Sequence, residues 1–208
     1  MVMQTRILKQ LTKYNILSIE QYGFRIGLKI GNAIYKLPTE ILNAVNKKLL
    51  VGGIFCNMEE VFDCVDHGIL LSKLNFYGIS VKDHTLYQSY LDNRYCRTAI
   101  CNDSDNRYKV SCWAKVRHGV PQCSVLGLLL FLLHINELPK EINKISAPTI
   151  FVDDTSILLA HSNLIYLYSN IHIVFETFNE WFKVNQLSLN FNKTNYIHFA
   201  SKRNMSIN

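Results

Sequence analysis

No stretch of this 208-residue sequence is apolar for long enough to cross a bilayer. The longest run, Val125 to Ile135, is short and carries His134 inside it. Glycine and proline are scarce, at 9 and 4 residues, and no repeat or low-complexity tract is present, which excludes linker-like and fibrous classes. None of the six cysteines forms a C-x-x-C pair and no two histidines stand at zinc-ligand spacing, so a zinc module is excluded. The first residues carry Arg6, Lys9 and Lys13 among their apolar positions, which breaks any signal-like core. The thiols therefore read as reduced and mostly buried, in an intracellular protein whose compartment, nucleus or cytoplasm, is left open.

What is present suits a folded domain. The chain is 49% hydrophobic and 12% aromatic, enough for one good-sized core or a core with a small attached lobe. The net charge of +6 is compatible with a polyanionic partner without requiring one. Periodicity predicts helices over 3–17, 39–49, 69–77, 82–91, 124–136 and 164–184. Strands are expected over 51–56, 98–101, 108–115 and 196–200, and residues 149–160 read as a hairpin. Gln21 to Arg25 reads as a loop. Helices over an antiparallel-rich sheet make the fold class α+β.

The chemistry centres on that hairpin. Asp153 and Asp154 stand between two apolar runs, Thr149 to Val152 and Thr155 to Leu159. Adjacent carboxylates repel, and a divalent cation with an appetite for hard oxygens offsets them; the plain alternative is a solvated turn. Four further blocks accompany the pair. Gly119-Val120-Pro121-Gln122-Cys123-Ser124-Val125-Leu126-Gly127 precedes an apolar helix. Phe62-Asp63-Cys64-Val65-Asp66-His67 precedes Tyr77-Gly78-Ile79. Gln21-Tyr22-Gly23-Phe24-Arg25 lies upstream of both. Asn179-Glu180-Trp181-Phe182 leads to Leu187-Ser188-Leu189-Asn190 and Lys193-Thr194.

Together, and in this order, these blocks resemble the reverse transcriptase of non-LTR retrotransposons, most like the jockey-like elements. The resemblance implies a reverse-transcriptase palm, an antiparallel sheet packed on helices, over 51–203, with a partial fingers lobe over 1–50. It also implies that the thumb and endonuclease fall outside the chain. The implied activity is RNA-directed DNA synthesis on an RNA template and DNA primer, from deoxynucleoside triphosphates, with two Mg²⁺ or Mn²⁺ ions. No membrane and no particular protein partner is implied. Asp153 and Asp154 match metal-binding catalytic carboxylates. Phe62 matches the aromatic that stacks under the sugar, and Gln122 the residue touching the incoming nucleotide. Lys193 matches the lysine near the triphosphate.

Residues 90–118 carry six basic side chains against three acidic ones, with four aromatics interleaved. Arg94, Arg97 and Arg117 are the candidates there for phosphate contact, and a solvated hairpin face is the competing reading.

The sequence departs from the family pattern in telling places. The first metal carboxylate of the family falls at Asn57, which offers one neutral oxygen instead. Glu59 shares that face if the strand continues, about 6–7 Å farther along. Cys123 stands at a glycine position beside the template, Leu128 at a proline position, and Val61 at a small residue's position beside Phe62. The expected function is a reverse transcriptase domain with impaired or no polymerase activity. An active polymerase with rescue at Asn57 and its missing lobes supplied elsewhere, a non-catalytic nucleic-acid-binding remnant and a chain that does not fold stably are the alternatives.

Overall fold

One long central strand organises the sheet. β1 (Leu50–Glu59) alternates, with Ile54, Cys56 and Met58 buried while Phe55, Asn57 and Glu59 point the other way and are more open. It pairs antiparallel with β7 (Asp154–His161), from Leu50 opposite His161 to Asn57 opposite Asp154. On the far side of β7 lies β6 (Ala147–Phe151). The other edge of β1 takes two partners in succession, β9 (Asn195–Phe199) beside its first half and β8 (Ser188–Leu189) beside its end. This computed structural model describes residues 2–25, 27–79, 81–102, 107–122 and 124–199.

Helices cover the sheet. They are α1 (Val2–Lys13), α2 (Ile30–Asn46), α3 (Val61–Cys64), α4 (His67–Phe76), α5 (Val81–Leu91), α6 (Val125–Ile135), α7 (Leu138–Ile142) and α8 (Leu164–Val184). α6 is the buried spine: Leu129 to Ile135 are all removed from solvent, and Phe131 and Phe178 are among the largest fully buried side chains. Burial on that scale contributes roughly 1.5–3 kcal/mol per large apolar residue. Side chains fix where helices begin. Ser124 accepts from the Gly127 N–H to start α6, Asp66 from Ile69 N–H to start α4, and Asn163 from Ile165 and Tyr166 N–H to start α8. Gly78, at φ +74°, takes the left-handed position that ends α4.

Several expectations change: the helix expected over 3–17 ends at Lys13, and of the five described cysteines Cys56 alone is buried while Cys96 and Cys112 are exposed. The second helix was expected over 39–49 but spans Ile30–Asn46, with Pro38 inside it. The Ile34 carbonyl that loses its helical donor belongs to an exposed residue, so water can serve it. The expected strand over 108–115 is two short ones: β4 (Arg107–Val110) pairs with β3 (Ala99–Asn102), and β5 (Ala114–Lys115) with β2 (Tyr95–Cys96). Between them Ser111 exchanges hydrogen bonds with Thr98, its N–H to the Thr98 carbonyl and its hydroxyl from the Thr98 N–H. Leu128 lies one turn inside α6 and donates its N–H to the Ser124 carbonyl at 3.2 Å. The first turn therefore rests on the Ser124 cap, not on residue 128.

A polar network ties the helices together beneath the sheet. Lys73 donates to the His134 carbonyl at 2.6 Å and pairs with Glu137 at 3.1 Å. Tyr77 donates to Glu137, and Asn136 reaches back to the Ile16 carbonyl. Removing one member leaves a buried charge or dipole unpaired, a change of about 3–5 kcal/mol for an ion pair. His134 is fully buried beside this network, and burial, reinforced by the Lys73 ammonium, pushes its pKa down to about 3. The folded chain therefore refuses a proton that the unfolded chain takes up below its ordinary value of 6.5. Stability should fall as pH drops from about 6.5 toward 3. Urea unfolding at about pH 7 and about pH 5 checks this: the wild type should lose stability between them, and His134→Leu should lose distinctly less.

Candidate active site

Register brings the first contact together. Because Asn57 stands opposite Asp154, its amide reaches the carboxylate, and Asn57 Nδ2 donates to Asp154 Oδ1 at 3.0 Å. The Met58 N–H donates to the Asp153 carbonyl at 3.1 Å, which fastens the end of β1 to the hairpin tip. β1 does run on through Glu59, which shares the Asn57 face and pairs with Ser188.

The tip is a two-residue turn of Val152 and Asp153 between Phe151 and Asp154. Tight hairpin turns call for positive φ at the first central residue, where glycine is at ease. Here that residue is Val152, at φ +62°. A β-branched side chain in that region costs about 1–3 kcal/mol, which the surroundings must offset. The 21–25 loop lies against this turn. The Tyr22 N–H donates to the Ile150 carbonyl at 2.8 Å, and the Ile150 N–H to the Glu20 carbonyl at 2.9 Å, so the loop adds a short parallel bridge to β6.

A second platform holds the expected nucleotide contacts. Val120 N–H donates to the Phe62 carbonyl at 2.7 Å, and Gln122 Nε2 donates to Asp63 Oδ2 at 2.7 Å. The Phe62 ring is half-buried, 4.6 Å from that of Phe131. Gly119, at φ +82°, makes the approach possible: a Cβ there would fall 2.7 Å from Asp63 Cα and 2.8 Å from the Phe62 carbonyl oxygen.

The remaining sequence-derived candidates are dispersed. Lys193 sits in a short turn, Phe191–Lys193, whose Asn190 donates its N–H to the Asn57 carbonyl at 3.0 Å; the lysine side chain is exposed. Arg94 is turned inward, donating to the Leu91 and Gly119 carbonyls, so its guanidinium supports the platform. Arg97 lies 4.6 Å over the Trp113 ring, and Arg117 is exposed. Cys123 lies outside the described residues. Gln21, Gly23 and Asp63 touch these residues without being candidates from the sequence, where only their place in the motif blocks marks them.

The donor set at the tip is two carboxylates and a neutral amide. Mg²⁺ is commonly held by one or two carboxylates with substrate phosphates completing its shell, and Asp153 with Asp154 fits one such ion. At position 57 the tip has a neutral amide that donates to Asp154, so no third carboxylate joins the pair there. Among the described residues, no three His, Cys, Asp or Glu side chains converge as a metal site. Nearby, Cys56 alternates with Asn57 along β1 and is buried, and that burial pushes its thiol up to about 11.

An acidic pair on a hairpin tip, faced by the end of an antiparallel strand and backed by helices, is the α+β arrangement that the resemblance implies for a reverse-transcriptase palm. Comparison with known proteins agrees. A family model for reverse transcriptase (RNA-dependent DNA polymerase) matches residues 2–206. The chain belongs to the reverse transcriptase family, as a domain of the jockey-like non-LTR retrotransposon type. It is 32% identical over 135 residues to a probable RNA-directed DNA polymerase from transposon BS of Drosophila melanogaster, covering 62% of this chain and 14% of that protein. It is 27% identical over 201 residues to the X-element counterpart from the same organism, covering 95% and 21%. The RNA-directed DNA polymerase of mobile element jockey from Drosophila melanogaster is 22% identical over 189 residues, covering 88% of this chain and 20% of that protein. The chain thus spans about a fifth or less of these relatives. Among solved structures, apo telomerase from Candida tropicalis superposes with a TM-score of 0.64 at 13% identity, over 97% of this chain and 37% of that one. At that identity the likeness is one of fold. No helix among the described residues is long and apolar enough to cross a membrane.

Gly119→Ala should cost about 2 kcal/mol or more, from the positive φ and the backbone clash together. Denaturant unfolding should show a lower midpoint with an unchanged slope. A variant as stable as the wild type would contradict the close packing of this loop on Asp63.

Proposed function

We propose that the chain is the palm-centred portion of an RNA-directed DNA polymerase whose nucleotidyl transfer is strongly impaired. In this reading residues 51–203 form the palm and residues 1–50 part of the fingers. The RNA template, DNA primer and deoxynucleoside triphosphates are the intended substrates. One divalent cation, Mg²⁺ or Mn²⁺, is held by Asp153 and Asp154 together with the triphosphate. Such an ion neutralises charge on the phosphates as it develops.

The observation that carries the reading is the 3.0 Å hydrogen bond from Asn57 to Asp154. An amide there gives the carboxylate a donor where the family's carboxylate would share a cation with it. The ion that activates the primer hydroxyl loses its anionic bridge, which corresponds to roughly a thousand-fold or more in rate. Phe62 and Gln122 remain on a folded platform able to receive a sugar and base, while Arg97 and Arg117 offer the cations for backbone phosphates. Lys193 is the candidate to stand near the triphosphate.

Primer extension by the purified chain on a poly-A template, with Mg²⁺ or Mn²⁺, tests this. The wild type should give product at or near background, and Asn57→Asp should raise the rate by about a hundred-fold or more. Robust extension by the wild type, abolished in Asp153→Ala, would overturn the proposal.

A further inference from the structure

The Gln21-Tyr22-Gly23-Phe24-Arg25 block has no chemistry of its own in the reading above, yet it touches the turn that carries the acidic pair. Gln21 is only 2% exposed. Its side-chain oxygen accepts the Gly23 N–H at 2.8 Å and the Val152 N–H at 3.4 Å. The second bond falls on the residue whose φ is +62°, immediately before Asp153. Gly23 is pressed to the same turn: a Cβ there would fall 2.6 Å from Val152 Cγ2 and 2.8 Å from its backbone nitrogen.

The loop is itself anchored at a distance from the site. Ser18 N–H donates to Asn136 Oδ1 at 2.8 Å, tying the loop to the end of α6. Arg25 Nη1 donates to the Ser18 carbonyl at 2.6 Å and closes the loop on itself. A contiguous set of hydrogen bonds therefore runs from α6 through the loop to the hairpin tip. An unfavourable turn conformation persists only where its surroundings over-determine it, and Gln21 with Gly23 supplies that constraint.

We propose that Gln21 is a positioning residue for the acidic pair, holding the Val152–Asp153 turn so that the two carboxylates converge on a cation. This rests on the reading of Asp153 and Asp154 as a one-cation site. Loss of a group that orients a ligand, without being one, typically weakens metal binding by about 10–100-fold. Gln21→Met is the informative variant. It keeps the side-chain length in a buried place and removes the acceptor. The Gln21 Nε2 group has no hydrogen-bond partner among the described residues, so its loss leaves nothing else unpaired. Gln21→Glu restores an oxygen acceptor.

Two measurements on the full chain test the proposal. The first is Mn²⁺ affinity by calorimetry with a deoxynucleoside triphosphate present. Gln21→Met should bind about ten-fold or more weakly than wild type, and Gln21→Glu should recover most of the difference. The second is amide hydrogen exchange at Val152 and Asp153, which should quicken about ten-fold in Gln21→Met while exchange in β1 is unchanged. Unchanged Val152 exchange in a folded Gln21→Met chain overturns the proposal, whatever the metal does. Faster exchange with unaltered Mn²⁺ affinity overturns the positioning role and leaves a purely structural brace. If Asp153→Ala leaves Mn²⁺ affinity unchanged, it is the one-cation reading that fails, and the positioning role falls with it.

Discussion

The pairing of β1 with β7 is the constraint on which the rest of the site depends. Strand side chains alternate, so a slip of one residue would exchange the buried and open faces of both strands. Burial of Ile54, Cys56 and Met58 on one side and of Ile157 and Leu159 in the partner fixes that register against slippage. Once it is fixed, Asn57 has no choice but to face Asp154. The apolar core thus decides which polar group meets the carboxylate, and the identity of residue 57 decides what that meeting can do. An aspartate there would bring a third negative charge to the tip and call for metal. An asparagine satisfies the same carboxylate by hydrogen bonding, at a distance of 3.0 Å.

Around this axis, the other site residues are held by backbone geometry more than by their own side-chain chemistry. The Gly119 loop reaches the Phe62–Asp63 segment because it carries no Cβ, and the hydrogen bonds of Val120 and Gln122 then lock the two together. The same logic operates at Gly23, on the opposite flank of the hairpin. Two separate packings result, the 21–25 loop against the hairpin tip and the 119–122 loop against the Phe62–Asp63 segment, each made possible by a glycine. Arg94 illustrates how such a scaffold absorbs charge: its guanidinium serves the carbonyls of Leu91 and Gly119 and so braces the loop that carries Gln122.

Much of this was legible in the sequence. The long helix 164–184, the hairpin around the acidic pair and the capped buried helix after Ser124 follow from period, length and capping residues, and the structure has them in those places. The position of Asn57 relative to the pair came from a family resemblance; periodicity alone carries no information on which strand faces which. The early start of α2 was hidden because Pro38 reads locally as a helix breaker, whereas packing of that helix against the sheet overrides it. The division of 108–115 between two ribbons was hidden because it depends on Ser111 meeting Thr98, a contact across a turn. The inward turn of Arg94 was hidden for a similar reason, since a basic residue among aromatics reads equally well as a phosphate contact or as a brace. The contact between Gln21 and Val152 joins residues far apart in the chain, and no local pattern announces it.

We propose that the chain keeps the palm and one cation site while lacking the bridge for a second. Anomalous diffraction from a crystal of the chain soaked in Mn²⁺ and a deoxynucleoside triphosphate tests it most directly. A single Mn²⁺ peak is expected beside Asp153 and Asp154, with Asn57 still donating to Asp154. Two peaks about 3.5–4 Å apart at full occupancy would contradict it, because they would show that a metal pair assembles without the third carboxylate.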